Sequence, residues 1–131
     1  MPEAAATEPQ SSTILVVDDE ESILTLAEMT LEDEGYEVLT ASSGELALRI
    51  CAEHPGDIHV FVIDVVMPRM SGPDLAERLA ERRPDARVIF TSGYGDAAGV
   101  ALRQRSTSAV YLRKPFGPDE LCQVVERIVG S

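Results

Sequence analysis

The chain has 131 residues, 44% of them hydrophobic and 5% aromatic, with 23 acids against 11 bases and a formal charge of −12. That length suits one domain around a single core, which without any Trp must be filled by Val, Ile, Leu and Ala. An acidic balance with no basic stripe argues against sequence-independent binding to nucleic acid or anionic lipid. No apolar run approaches the ~18 residues of a membrane helix, and Met1-Pro2-Glu3 lacks the positive-then-apolar pattern of a signal peptide. The charge is unevenly placed: residues 1–48 carry 12 acids and no Lys or Arg, while the remainder balances 11 acids with 11 bases. Cys51 and Cys122 lie far apart and form neither a CxxC pair nor a zinc site, so reduced, packed thiols in a cytoplasmic protein are expected.

Residues 1–12 are small, polar and punctuated by Pro, and read as a flexible tail or linker ahead of one domain over 13–131. From there short β-branched apolar runs (14–17, 36–39, 60–63, 88–90 and 109–112) alternate with stretches of helical period (21–34, 44–53, 72–82, 96–105 and 118–129). In the first helix Ile23, Ala27 and Leu31 share a stripe, and Gly35 follows as its C-cap. The excess of apolar residues there (Ile23, Leu24, Leu26, Ala27, Met29, Leu31) fits either a broad core contact with Leu24 or Met29 singly exposed, or a docking patch for a partner's helices. Ser42 with Glu45 matches a capping box for the second helix. Stretch 96–105 is the weakest helix, with Gly99 inside it and few apolar positions. Five strands alternating with five helices specify a doubly wound α/β fold with a parallel sheet covered on both faces.

The polar residues that follow the strands carry the chemistry. The first strand ends in Asp18-Asp19, the third in Asp64, the fourth in Thr91-Ser92 and the fifth in Arg113-Lys114. In an open parallel sheet the carboxyl ends share one edge, where ligands bind. The second strand ends in Ala41-Ser42-Ser43, consistent with a place at the sheet's margin. Three converging carboxylates repel one another, and a hard divalent cation, Mg²⁺ or Mn²⁺, relieves that repulsion through all-oxygen ligation. Lys114 is the only lysine beside ten arginines, and a compact ammonium suits an anion shared with the metal. Metal, ammonium and hydroxyl around one exposed carboxylate make a phosphoryl-transfer site. Taken singly, each residue has an ordinary explanation: Asp18 and Asp19 as helix-capping acids, Thr91 as a strand-end hydroxyl, Lys114 as a solvated charge. Jointly, four strand ends with the right groups favour the site. His54 and His59 are assigned no function.

Four motifs in order resemble the receiver domains of two-component response regulators, single-domain chemotaxis regulators among them. They are Ile14-Leu15-Val16-Val17-Asp18-Asp19-Glu20; Asp64-Val65-Val66-Met67-Pro68-Arg69-Met70-Ser71-Gly72; Thr91-Ser92-Gly93-Tyr94; and Tyr111-Leu112-Arg113-Lys114-Pro115-Phe116. The resemblance covers about residues 13–129 and implies a five-stranded (βα)5 flavodoxin-like fold with strand order 2-1-3-4-5. It implies that Asp64 is the phosphoacceptor, that Asp18 and Asp19 hold Mg²⁺ with Asp64 and the Val66 carbonyl, and that Thr91 and Lys114 contact the phosphoryl group. Tyr111 matches the aromatic switch that turns inward as Thr91 moves, and the Lys114–Pro115 bond is expected to be cis.

The resemblance further implies a partner carrying phosphohistidine, either a histidine kinase or a histidine phosphotransfer protein, and a downstream protein target. That target would meet the face of the 96–105 helix, the fifth strand and the last helix. A monomer or a weak phosphorylation-dependent dimer is expected, acting either as a stand-alone regulator or as the receiver of a hybrid histidine kinase. Two rivals stand against this reading. An Asp-nucleophile phosphatase needs a second Asp two residues after the nucleophile, where this chain has Val66. A phosphorylation-independent receiver-like binding module is disfavoured by the intact Asp18, Asp19, Asp64, Thr91 and Lys114. The protein is accordingly expected to be a self-phosphorylating switch and not a turnover enzyme.

Overall fold

The structure, a computed structural model, describes residues 12–93 and 110–130. The 1–12 tail, save Ser12, and the 96–105 helix read from the sequence lie outside them. The elements run β1 (Thr13–Val17), α1 (Glu21–Asp33), β2 (Glu37–Ala41), α2 (Gly44–Glu53), β3 (Val60–Asp64), α3 (Gly72–Arg82), β4 (Arg87–Ser92), β5 (Val110–Arg113) and α4 (Pro118–Gly130). All strand pairs are parallel and their order is β2-β1-β3-β4-β5, the flavodoxin-like topology.

Strand periodicity explains the two apolar layers. Alternate residues of a strand point to opposite faces, so Ile14 and Val16 of β1 join Leu24, Ala27, Leu31, Leu121 and Val125 of α1 and α4 on one side. Leu15 and Val17 face the other way and pack with Ala47, Cys51, Leu75 and Leu79 of α2 and α3. β1 and β3 are buried along their whole length, as central strands covered on both faces must be. Among the described residues no helix is long and apolar enough to cross a membrane.

The helix ends are set by local chemistry. Gly35, at φ 98°, closes α1: its N–H donates to the Glu32 carbonyl and the Tyr36 N–H to that of Leu31. This pair of bonds is the Schellman arrangement, which needs the left-handed backbone that glycine adopts freely. The α1 stripe differs from expectation, since Leu24 is buried with Ala27 and Leu31 while Ile23 is only partly covered. Only Met29 of this helix stands out as a large exposed apolar residue, at 66%, which matches the broad core contact. For α2 the cap is Ser43, whose Oγ accepts the Leu46 N–H at 3.1 Å. The expected Ser42–Glu45 box does not form: Ser43 is the last extended residue before the helix and caps it alone, since the residue three further on is Leu46. Ser71 caps α3 through the Asp74 N–H, ahead of Pro73 in the first turn. The far end of α2 is held by Arg83, which donates to the carbonyls of Cys51, His54 and Gly56 at 2.9, 3.0 and 2.6 Å. His59 serves the amino edge of the sheet, its Nδ1 accepting the Thr13 N–H at 2.9 Å. Both cysteines are free thiols, Cys51 buried and Cys122 partly exposed.

Candidate functional site

Register places the site. Val17 pairs with Ile63 and Asp64 with Thr91, so the ends of β1, β3 and β4 lie abreast. The Val65 N–H donates to the Thr91 carbonyl at 2.9 Å and the Lys114 N–H to that of Ser92 at 2.8 Å, carrying the alignment past the strand ends. Asp18, Asp19, Asp64, Thr91 and Lys114, four strands apart in origin, therefore share one edge. β2 lies at the sheet margin, and its end meets this group through the main chain, the Ala41 carbonyl accepting the Asp18 N–H at 3.1 Å.

The carboxylates are close. Asp18, Asp19 and Asp64 can each present an oxygen such that all three lie within 4.8 Å of one another. Lys114 Nζ lies 2.9 Å from Asp18 Oδ2 and 3.1 Å from Asp64 Oδ2, with the Asp18 and Asp64 side chains 1% and 7% exposed. The second oxygens are held by the loops that follow: Asp18 Oδ1 accepts the Glu20 N–H at 2.9 Å and Asp64 Oδ1 the Val66 N–H at 3.2 Å. Burial, reinforced by the Asp18 charge, pushes the Asp64 carboxyl up to about 6, although Lys114 and the Val66 N–H pull the other way. For Lys114 burial alone would disfavour the ammonium, but contact with Asp18 and the charges of Asp64 and Asp18 prevail and hold it above its ordinary value. Crowded, partly uncompensated oxygens of this kind fit a hard cation such as Mg²⁺.

Thr91 is buried on the strand next to Asp64, and its Oγ1 has no hydrogen-bond partner among the described residues. Tyr111, on β5, stacks on Phe90 with ring centroids 5.9 Å apart, and its hydroxyl is buried. Val66 sits in the loop after β3, 54% exposed. The Lys114–Pro115 bond is cis, as expected.

Two contributors escaped the sequence reading. Glu20 reaches Lys114 through Oε1 at 3.3 Å; beside Asp18-Asp19 it reads as one more acid at a helix start. Gly72 lies under the loop that follows β3, its N–H donating to the Val65 carbonyl. A Cβ there would collide with the Asp64 main-chain oxygen and come within 2.8 Å of Val65 Cα. The loop between them turns at Arg69, φ 72°, around a Pro68 C=O to Met70 N–H bond, a γ-turn of the rarer hand. A separate cleft of about 500 Å³, lined by His59, Arg82, Arg83 and Arg87 among others, opens at the amino ends of β3 and β4. It is on the far edge of the sheet from the carboxylates.

An open parallel sheet whose order reverses between β1 and β3, with carboxylates and a lysine at that crevice, defines a doubly wound α/β domain bearing its site at the switch point. The model of the response regulator receiver domain matches residues 14–126, and the chain belongs to that family. Receiver domains are signalling switches of two-component systems. The chain is 36% identical over 119 residues to the sensor kinase CckA of Brucella abortus, covering 91% of this chain and 13% of that protein. It is 34% identical over 116 residues to the regulatory protein PhoP of Bacillus subtilis, covering 88% and 48%. It thus spans less than half the length of either relative. A receiver domain from Clostridium thermocellum superposes with a TM-score of 0.79 at 37% identity, covering 91% of this chain and 94% of that one.

Proposed function

We propose that the chain is a phosphoacceptor switch in which Asp64 takes a phosphoryl group from a phosphohistidine. The observation that supports it best is the setting of Asp64: buried, 3.1 Å from the Lys114 ammonium, and beside a buried Thr91 hydroxyl that has no partner among the described residues. An Asp64 oxygen attacks phosphorus in line as the nitrogen–phosphorus bond breaks and the imidazole departs. Lys114 supplies a point charge to the transferred oxygens, and the Thr91 hydroxyl donates to one of them. The Val66 N–H fixes one Asp64 oxygen, which leaves the oxygen on the lysine side to react. Asp18, Asp19 and Asp64, with the main-chain carbonyl of Val66, would hold Mg²⁺, which when bound neutralises charge on the phosphoryl oxygens. Val66 also leaves no acid two residues after Asp64, so the reading is a switch acting on itself and not a phosphatase of outside substrates.

The output follows from Thr91. Its inward movement toward a phosphoryl group favours a state with Tyr111 turned in, and so biases the face that includes β5 and α4; the 96–105 part of that face lies outside the described residues. The donor is a histidine kinase or histidine phosphotransfer protein, and the recipient of the signal is a protein. Incubation with acetyl phosphate and Mg²⁺ should label the wild type at Asp64 and leave Asp64→Asn unlabelled. Undiminished incorporation into the Asn variant would sink the assignment.

A further inference from the structure

We infer that Glu20 is a latch on Lys114, a positioning residue that holds the ammonium in the unphosphorylated protein and must release it when Asp64 is phosphorylated. This rests on the phosphoacceptor reading of Asp64. An ammonium has three N–H donors, and Lys114 has three carboxylates in reach: Asp18 at 2.9 Å, Asp64 at 3.1 Å and Glu20 at 3.3 Å. Hydrogen bonds to Asp64 and Glu20 take two of the donors and Asp18 Oδ2 faces the ammonium as an ion pair, so the ammonium cannot turn fully to a phosphoryl oxygen without loosening one of these contacts. Asp18 and Asp64 are buried and have duties at the acceptor centre. Glu20 has neither constraint: its side chain is 61% exposed, and at the N-cap of α1 it makes no capping bond. Its carboxylate instead closes a contact across 94 residues of sequence, while its N–H orients Asp18. The longest and most exposed of the three contacts is the one that yields. Until it does, Glu20 also sets a negative charge at the rim that an anionic phosphodonor must approach.

Glu20→Gln removes the charge; Glu20→Asp keeps the charge but shortens the reach by one methylene. Acetyl phosphate should label Asp64 in both variants about two- to fivefold faster than in the wild type, the range an exposed ion pair spans. The gap should close near 1 M salt, where the Debye length is about 3 Å. A second readout needs neither phosphoryl transfer nor metal. Lys114 is the only lysine, so its acylation by an amine-directed ester can be followed by mass spectrometry in EDTA. Both variants should acylate there faster than the wild type. Wild-type acylation rates in both variants, or slower labelling in both, would overturn the latch. So would acceleration in Glu20→Gln alone, which would make the effect one of diffuse charge and not of contact. If the wild type itself takes no label at Asp64, the phosphoacceptor reading fails, while the acylation rates still decide whether Glu20 holds the lysine.

Discussion

Replacing Asp64 by Asn measures the electrostatic cost that the site carries before any ligand relieves it. Burial and the neighbouring Asp18 charge move the Asp64 carboxyl from 3.8 to about 6, net of the help from Lys114. Each pH unit is worth about 1.4 kcal/mol, so keeping Asp64 ionised at pH 7 in the folded, metal-free protein costs on the order of 3 kcal/mol. The folded value lies above the unfolded one. The native state therefore keeps the proton where the unfolded chain has lost it, and this group's contribution to stability falls as pH rises from about 4 to about 6. Asn has the same shape and no charge to bury, but its one carbonyl oxygen can replace only one of the two Asp64 oxygens that accept from the Val66 N–H and Lys114, which offsets part of the gain. In EDTA at pH 7 the Asn variant should be more stable than the wild type by about 1–3 kcal/mol, a rise in Tm of about 4–11 °C for a domain of this size. At pH 4 the two should melt together, because the other acids titrate alike in both. Thermal melts at half-unit steps from pH 4 to 7.5 provide the comparison. An Asn variant that melts at or below the wild type at pH 7, or a gap that ignores pH, would refute the reasoning.

Gly72→Ala sets a methyl against the Asp64 main-chain oxygen and Val65 Cα; backbone on both sides cannot yield, so a loss of about 3 kcal/mol is expected in denaturant melts. Arg83→Ala strands three carbonyls at the end of α2 and should cost about 2 kcal/mol. Arg83→Lys should recover little of that loss in the same melts, because an ammonium lacks the planar fork that spans all three. Magnesium should raise Tm at pH 7, by the equivalent of about 1.4 kcal/mol at ten times its dissociation constant. The rise should shrink at pH 5, where Asp64 holds its proton, and vanish in Asp18→Asn/Asp19→Asn.

The alternation of apolar runs and helical stretches was enough to reach the fold, because β1 and β3 are buried on both faces and their composition shows it. The strand-end residues were legible for a related reason: in a parallel sheet, chain position translates directly into place on the carboxyl edge. What stayed hidden depends on tertiary neighbours. Ser42 and Ser43 offer the same hydroxyl one residue apart, and only the backbone of the turn selects Ser43 as the cap. Ile23 and Leu24 are equally apolar, and the tilt of α1 on the sheet decides that Leu24 is the buried one. Glu20 and Arg83 look like solvated charges until the fold shows the lysine and the three carbonyls they meet. Gly72 was visible within its motif, but the reason for it, the backbone of Asp64 pressed against it, was not.

The same charges that oppose folding set the scale of the proposed switch. Fold stability comes from the two apolar layers, so the sheet edge can hold Asp18, Asp19, Asp64 and Glu20 around a single ammonium and leave them under-compensated. A ligand moves a two-state equilibrium only by its difference in affinity for the two states. Were the roughly 3 kcal/mol at Asp64 relieved in the active state alone, the shift would be on the order of a hundredfold. That takes a population from about 1:99 to near parity, whereas a full reversal needs about 5.5 kcal/mol. Neutralising the carboxylates is therefore insufficient by itself. The remainder must come from contacts that exist only with a phosphoryl group in place, and the structure offers two: the Thr91 hydroxyl, without a partner among the described residues, and the Lys114 donor now occupied by Glu20. On this accounting Mg²⁺ alone should stabilise the protein without turning it fully on, and both Thr91→Ala and a lysine that cannot leave Glu20 should blunt the switch while leaving the metal site intact.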